Sequence, residues 1–333
     1  PPDNVKQVRP GWWESRRAIY YDIPARIRFA LPHGKQSAQK IAASGWAEFE
    51  RLGKIFNPYA PDTETARLNE VRTTGTVPVS KEMHAVLTLC RRLWKASNGA
   101  FDPTMLPVKR LWKKAENAQQ IPRDRDILRA LDRVGFDKVF LPPQKQAVDF
   151  QQAGIRFDFG GVAKGYAVDR VVSILKSQGV KAALVQLGGE VAAFGKNAAK
   201  SWRIGVQHPL NMNTVWGIVT AEKPLRVSTS GNYRQPLIIE GHRFYHIFSP
   251  KTGKPVSEKV LGVTTVSFGA DHSSAFLDGA ATAITVLGAE DGLSLARKSG
   301  FDTLILKQSE NGEITETMTP GFQTHYRPKD NSD

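Results

Sequence analysis

From residue 136 onward the sequence breaks into short β-rich runs at close intervals: 138–141, 155–157, 182–187, 202–207, 215–221, 237–239, 244–248 and 260–268. Runs this short, bounded by glycine and polar pairs, read as strands. The pair 237–240 and 243–248 is joined through Glu240-Gly241-His242, the length of a hairpin loop rather than a crossover. The spacing therefore predicts antiparallel sheet and argues against a doubly wound parallel one. Helical periodicity interrupts the strands at 162–176, stopped by Gly179, and at 276–287.

Ahead of residue 136 helices prevail. A β-like stretch at 19–31 is followed by a helical pattern over 40–56, with Ile41, Phe49, Leu52 and Ile55 on one side, which Asn57-Pro58 ends. Ser80 is placed to cap a second helix whose apolar side carries Val86, Leu87, Cys90 and Leu93, and Asn98-Gly99 closes it. A third runs over 124–134 to Gly135. The fold class expected is α+β: an antiparallel sheet core with packed helices, in two lobes, helix-rich to about 135 and sheet-rich from there to 326. Residues 1–17 and 327–333 lack a period and read as tails.

The 333 residues carry 46 Lys and Arg against 32 Asp and Glu, a net charge of +14 that attracts polyanions of any kind. The excess is dispersed among acids, with no aromatic-interleaved strand or helix-turn-helix spacing, so no nucleic-acid partner is expected. No run approaches the ~18 consecutive apolar residues of a membrane helix. A single cysteine, Cys90, excludes an internal disulfide. The first residue is Pro1 rather than Met, consistent with a processed or truncated chain and with removal of a signal region.

The densest chemical signal is 156–169, where a strand delivers Asp158, Gly160 and Gly161 follow, and a helix begins with Lys164 in its first turn. Such a turn lets a ligand approach the backbone and offers unpaired N–H groups to a phosphate. Equally, Gly160, Gly161 and Gly165 can serve only a tight turn and close helix packing. Asp278 and Thr282 stand four apart and share a helix face, a pair of hard oxygen donors suited to Mg²⁺. Their alternative is an Asp at a cap and a Thr bonded back to the preceding turn. His246 closes an alternating run ahead of a Pro250-Lys-Thr-Gly253 turn. Gly188-Gly189-Glu190 and Ser228-Thr-Ser-Gly-Asn-Tyr233 each read alone as turns.

The succession of Gly-Ala-Phe-Asp-Pro-Thr (99–104), Asp-Phe-Gly-Gly-Val-Ala-Lys-Gly-Tyr-Ala-Val-Asp (158–169), Leu-Gly-Gly-Glu (187–190), Trp-Arg-Ile-Gly-Val-Gln-His-Pro (202–209), Ser-Thr-Ser-Gly-Asn-Tyr (228–233), His-Ile-x-x-Pro-x-Thr-Gly (246–253) and Asp-Gly-Ala-Ala-Thr-Ala (278–283) resembles the ApbE family of flavin transferases, from about residue 20 to about 319. The resemblance implies an ApbE-like two-lobed fold and an enzyme that takes FAD and Mg²⁺, attaches FMN by a phosphoester to a Thr or Ser of a partner protein, and releases AMP. It implies an acceptor flavoprotein subunit of a membrane redox complex and a periplasmic or exported location, often, in this family, with a lipid anchor. By position it makes Asp278, Thr282 and the Gly161 carbonyl the Mg²⁺ ligands. Asp158, Lys164, Ala100, Phe101, Asp102 and Phe248 become flavin-nucleotide contacts, and Tyr59, in a segment over 57–69 similar to a family element, the ring that stacks on the isoalloxazine. His246 and Lys164 are the residues expected to serve catalysis, His246 by taking the incoming hydroxyl's proton or orienting the phosphate.

Three positions depart from the family pattern. Its Met-Gly-Thr is absent near 21–23, the Asp of the histidine motif is Ser249, and the Ser of the N-terminal element is Asn57. Besides transfer, two rivals stand: an FAD pyrophosphatase with water as nucleophile, and a non-catalytic flavin carrier.

Overall fold

The computed structural model describes residues 4–329 apart from 21, 33, 198–199, 212, 232–235, 257–258 and 270. Outside the described residues lie Tyr21 of the 21–23 stretch, positions 232 and 233 of the Ser-Thr-Ser-Gly-Asn-Tyr motif, and the outer ends of both expected tails.

Among the described residues nine strands form one sheet, in the spatial order Val5–Arg9, Trp12–Ile19, Ile23–Ala30, Ala183–Leu187, Glu190–Phe194, Leu225–Gly231, Val260–Phe268, Asp302–Gln308 and Ile314–Met318. Every neighbouring pair is antiparallel, as the hairpin spacing requires. Alternation divides its two faces. Ala183, Val185 and Leu187 enter the main core under the helices Lys35–Phe56, Ala163–Ser177 and Ser274–Leu287. Leu184, Val191 and Ala193 point the other way, onto a three-stranded sheet of Trp202–Gln207, Val215–Ala221 and Tyr326–Pro328.

Both expected tails prove partly ordered. Residues 5–9 form the edge strand and 12–19 its neighbour, hidden from the sequence reading because buried polar side chains break the alternation. Glu14, 1% exposed, is met by Arg16 and Arg28 at 2.6 Å each, and Ser15 accepts from the Trp46 indole at 2.9 Å. At the other end Tyr326–Pro328 pairs with Val215–Ala221. The sheet thus takes strands from both sides of residue 135, and the helix-rich stretch is an excursion between them. Residues 155–157 form no strand: the Asn69 amide bonds both the N–H and the carbonyl of Phe157, at 2.6 and 2.9 Å, taking the place of a strand partner.

The helix Lys81–Ala96 begins as predicted, with the Ser80 hydroxyl accepting the Met83 N–H at 3.1 Å. A third apolar cluster joins the helices Leu106–Ala118 and Asp124–Leu131 to the hairpin Leu237–Ile239/His242–Phe244. At its centre Trp112 lies against Phe244 and Phe248, and its indole donates to the Gly253 carbonyl at 2.8 Å. This cluster holds the 245–256 segment over the mouth of the cleft described next.

Candidate active site

The chain segment 157–161 runs into the helix Ala163–Ser177, which crosses Ser274–Leu287 at Gly165. A Cβ there would stand 2.3 Å from the Ser274 carbonyl oxygen, so Gly165 serves close helix packing. Gly161 does something else: its backbone lies against the Thr282 hydroxyl and the Phe101 ring, which a Cβ would meet at 3.1 and 3.2 Å. The crossing brings Lys164 to Asp278. The ammonium stands 3.2 and 3.3 Å from the two carboxylate oxygens and donates to the Gly160 carbonyl at 2.9 Å, while Asp278 also accepts the Gly165 N–H at 3.1 Å. Burial alone would lower the Lys164 pKa, but Asp278 and Glu190 outweigh it and raise it, so Lys164 stays a cation.

A second ion pair stands on the opposite side of the glycine turn. Asp158 Oδ2 receives Lys109 at 2.9 Å and the Tyr59 hydroxyl at 3.5 Å, and Oδ1 receives the Gly160 N–H at 2.8 Å. Burial pushes the Asp158 carboxyl up, and Lys109 with these donors brings it below its ordinary value. The Tyr59 residue is 62% exposed, in a loop fixed where its N–H donates to the Asn57 side chain at 2.9 Å. The Asp102 carboxylate is committed to its own loop and to the start of 136–138, accepting from Thr104 N–H at 2.8 Å, the Thr104 hydroxyl at 2.5 Å and Phe136 N–H at 3.0 Å. Burial raises its pKa despite those bonds.

His246 lies in a bend past the strand His242–Phe244 rather than on a strand, as the alternation had suggested, because pairing in that hairpin ends at Phe244. The bend is tied down by Gly253 N–H to the Ser249 carbonyl at 2.8 Å and by Phe248 packed on Trp112. Burial, then the fields of Lys109 and Lys164, lower the His246 pKa to about 4, so its imidazole is neutral at physiological pH. Its Nδ1 is buried and has no hydrogen-bond partner among the described residues.

One cleft of about 470 Å³ is lined by every residue expected to serve catalysis, flavin or Mg²⁺: Tyr59, Ala100, Phe101, Asp102, Asp158, Gly161, Lys164, His246, Phe248, Asp278 and Thr282. To these the structure adds Lys109, Glu190 and Thr229. Glu190 had a signal in Gly188-Gly189-Glu190; Lys109 had none, being one basic residue among many on a helix surface. Among the described residues no three His, Cys, Asp or Glu side chains group as a metal site. A cation here would rest on one carboxylate and neutral oxygens. Asp278, Thr282 and the Gly161 carbonyl are donors of that kind, and the Lys164 ammonium, already against Asp278, shows a carboxylate aimed to accept positive charge.

A sequence model of the ApbE family matches residues 21–305. The chain belongs to the ApbE family. Among its relatives, the FAD:protein FMN transferase of Treponema pallidum (strain Nichols) is 30% identical over 310 residues, 88% of this chain and 84% of that protein. The protein of the same name from Klebsiella pneumoniae (strain 342) is 27% identical over 292 residues, 86% and 82% of the two chains. The solved ApbE protein of Thermotoga maritima superposes with a TM-score of 0.82 at 26% identity, over 95% of this chain and 99% of that one. The flavin transferase ApbE of Vibrio cholerae gives 0.81 at 24% identity over 94% and 99%, a likeness of fold. The α+β architecture expected from the hairpin spacing is thus that of solved ApbE proteins.

Proposed function

We propose that the chain is an FAD:protein FMN transferase. The acceptor hydroxyl of a Thr or Ser attacks the FMN phosphorus of FAD, the phosphoanhydride bond to AMP breaks, the hydroxyl proton passes to a base, and FMN remains joined to the acceptor by a phosphoester. The observation that carries this reading is a single cleft holding two lysines, a neutral imidazole and an exposed tyrosine ring in a chain of this family.

Breaking a pyrophosphate needs in-line placement and neutralised charge more than covalent help. Lys109 and Lys164 bring fixed positive charge to the cleft, each steadied by its carboxylate. His246, uncharged at neutral pH, is able to accept the hydroxyl proton. Tyr59 offers its open ring to the isoalloxazine, with its hydroxyl directed to Asp158. Asp278, Thr282 and the Gly161 carbonyl would hold Mg²⁺, which when bound neutralises charge on the pyrophosphate. Family resemblance supports, as acceptor, the flavoprotein subunit of a membrane redox complex, and a periplasmic or otherwise exported, lipid-anchored protein.

The test mixes the protein with FAD, Mg²⁺ and a peptide bearing an acceptor Thr, following AMP release and peptide mass together. AMP with a peptide heavier by FMN less water supports transfer. AMP with free FMN and unchanged peptide makes the protein a pyrophosphatase, and FAD bound without AMP makes it a carrier. Asp278→Ala is expected to abolish AMP release with circular dichroism unchanged.

A further inference from the structure

Lys164 touches two carboxylates. Its ammonium is 3.2 Å from Asp278 Oδ1 and 3.6 Å from Glu190 Oε1. Glu190, 1% exposed, opens the strand Glu190–Phe194 and accepts from the Ser228 hydroxyl at 3.4 Å. Its backbone is fixed from behind, where Gly189 presses so close to the Thr229 carbonyl that a Cβ would meet that oxygen at 2.6 Å. A carboxylate buried this deeply is tolerated only where positive charge and donors reach it.

The Asp278 oxygens held by Lys164 are the ones a divalent cation would need. An ammonium displaced from Asp278 would keep the neutral Gly160 carbonyl but lose its charge partner in a site only partly open to water, a penalty set against metal binding. Glu190 stands where it relieves that penalty. We propose that Glu190 is a positioning residue for Lys164, taking over the ammonium when a divalent cation takes Asp278 and so keeping Lys164 charged inside the cleft. Asp278 then binds a cation without losing the lysine from the site.

The inference rests on Asp278 as a metal ligand, and the test separates the two. Mn²⁺ binding to the full chain, without FAD, is titrated by electron paramagnetic resonance for wild type, Glu190→Gln, Lys164→Met and the double variant, with folding checked by circular dichroism. Glu190→Gln is expected to weaken Mn²⁺ about tenfold in the presence of Lys164 and several-fold less in the Lys164→Met background, a coupling of ordinary size for contacting charges. An equal or larger loss in the Lys164→Met background would make Glu190 a ligand in its own right and overturn the proposal, as would no loss in either. If Glu190→Gln does not fold, Glu190→Asp, which keeps the charge and shortens its reach, replaces it in both backgrounds: a loss of Mn²⁺ affinity confined to the background that holds Lys164 supports the proposal, and an equal loss in both or none refutes it. Asp278→Asn with wild-type Mn²⁺ affinity would remove the metal assignment itself, whereas a failed Glu190 coupling with Asp278 dependence intact removes only this inference.

Discussion

Replacing Lys109 by methionine keeps the unbranched apolar stem of the side chain and takes the ammonium away from Asp158. That ammonium stands 2.9 Å from a carboxylate that is 5% exposed, while the lysine side chain is 32% exposed. Gly160 N–H and the Tyr59 hydroxyl remain as donors, so the carboxylate keeps part of its support. Breaking a fully buried pair costs about 3–5 kcal/mol and an exposed one under about 1 kcal/mol; the half-open geometry puts Lys109→Met at about 2 kcal/mol of folding stability. The loss depends on pH. In the wild type the Asp158 pKa lies below its ordinary 3.8, so the pair adds stability above that value and loses it as pH falls through the folded pKa. Without Lys109, burial raises the carboxyl, which then costs stability at neutral pH and recovers on protonation. Urea denaturation followed by circular dichroism should show the gap between the two proteins at about 2 kcal/mol near pH ~7.5, closing towards pH ~4. A gap that stays constant over this range, or lies below about 0.5 kcal/mol at neutral pH, would refute the role given to Lys109.

Three further substitutions have expected outcomes. His246→Ala should cut FMN transfer by ~10²–10⁴-fold with FAD affinity near wild type, measured by AMP release and fluorescence titration; parallel losses of transfer and binding would mark a structural histidine instead. Because the folded imidazole resists protonation down to about 4 against 6.5 when free, the unfolded chain takes the proton first, and the wild type loses stability between those values as pH falls. His246→Ala should lack that component in pH-dependent melts. Tyr59→Ala should weaken FAD binding by about 0.5–1.5 kcal/mol, the worth of an aromatic pair beyond its buried area, and an unchanged dissociation constant would remove the ring from the site. Gly165→Ala drives a methyl into the Ser274 carbonyl, which stands 2.3 Å from the Cβ position. It should cost about 1–3 kcal/mol in denaturant melts, and a neutral result would mean the two helices separate more easily than their packing implies.

Helices and caps were legible because their evidence is local: an apolar period, Ser80 ahead of it, Asn98-Gly99 behind it. Hairpins were legible for the same reason. What escaped was set by distant partners. The stretch Leu225–Gly231 looked like a turn in its Ser-Thr-Ser-Gly portion, yet its hydroxyls are at home in a sheet interior, Thr229 meeting Thr264 across the strands at 3.1 Å. The strand at 12–19 was masked by Glu14, a charge that becomes tolerable only once Arg28 arrives from the neighbouring strand. In the cleft, motif residues were found through resemblance to a family and through glycine-rich spacing. The Lys109–Asp158 pair, 49 residues apart, left no pattern to read.

The cleft is made of pieces that are strangers in the chain. Lys164 reaches across 114 residues to Asp278, and Tyr59 across 99 to Asp158. Closing loops of this length carries an entropic cost that only the assembled sheet and helices offset. Local helices alone do not place Lys164 beside Asp278, so competence for nucleotide chemistry belongs to the long-range tertiary structure and to no single segment of the chain.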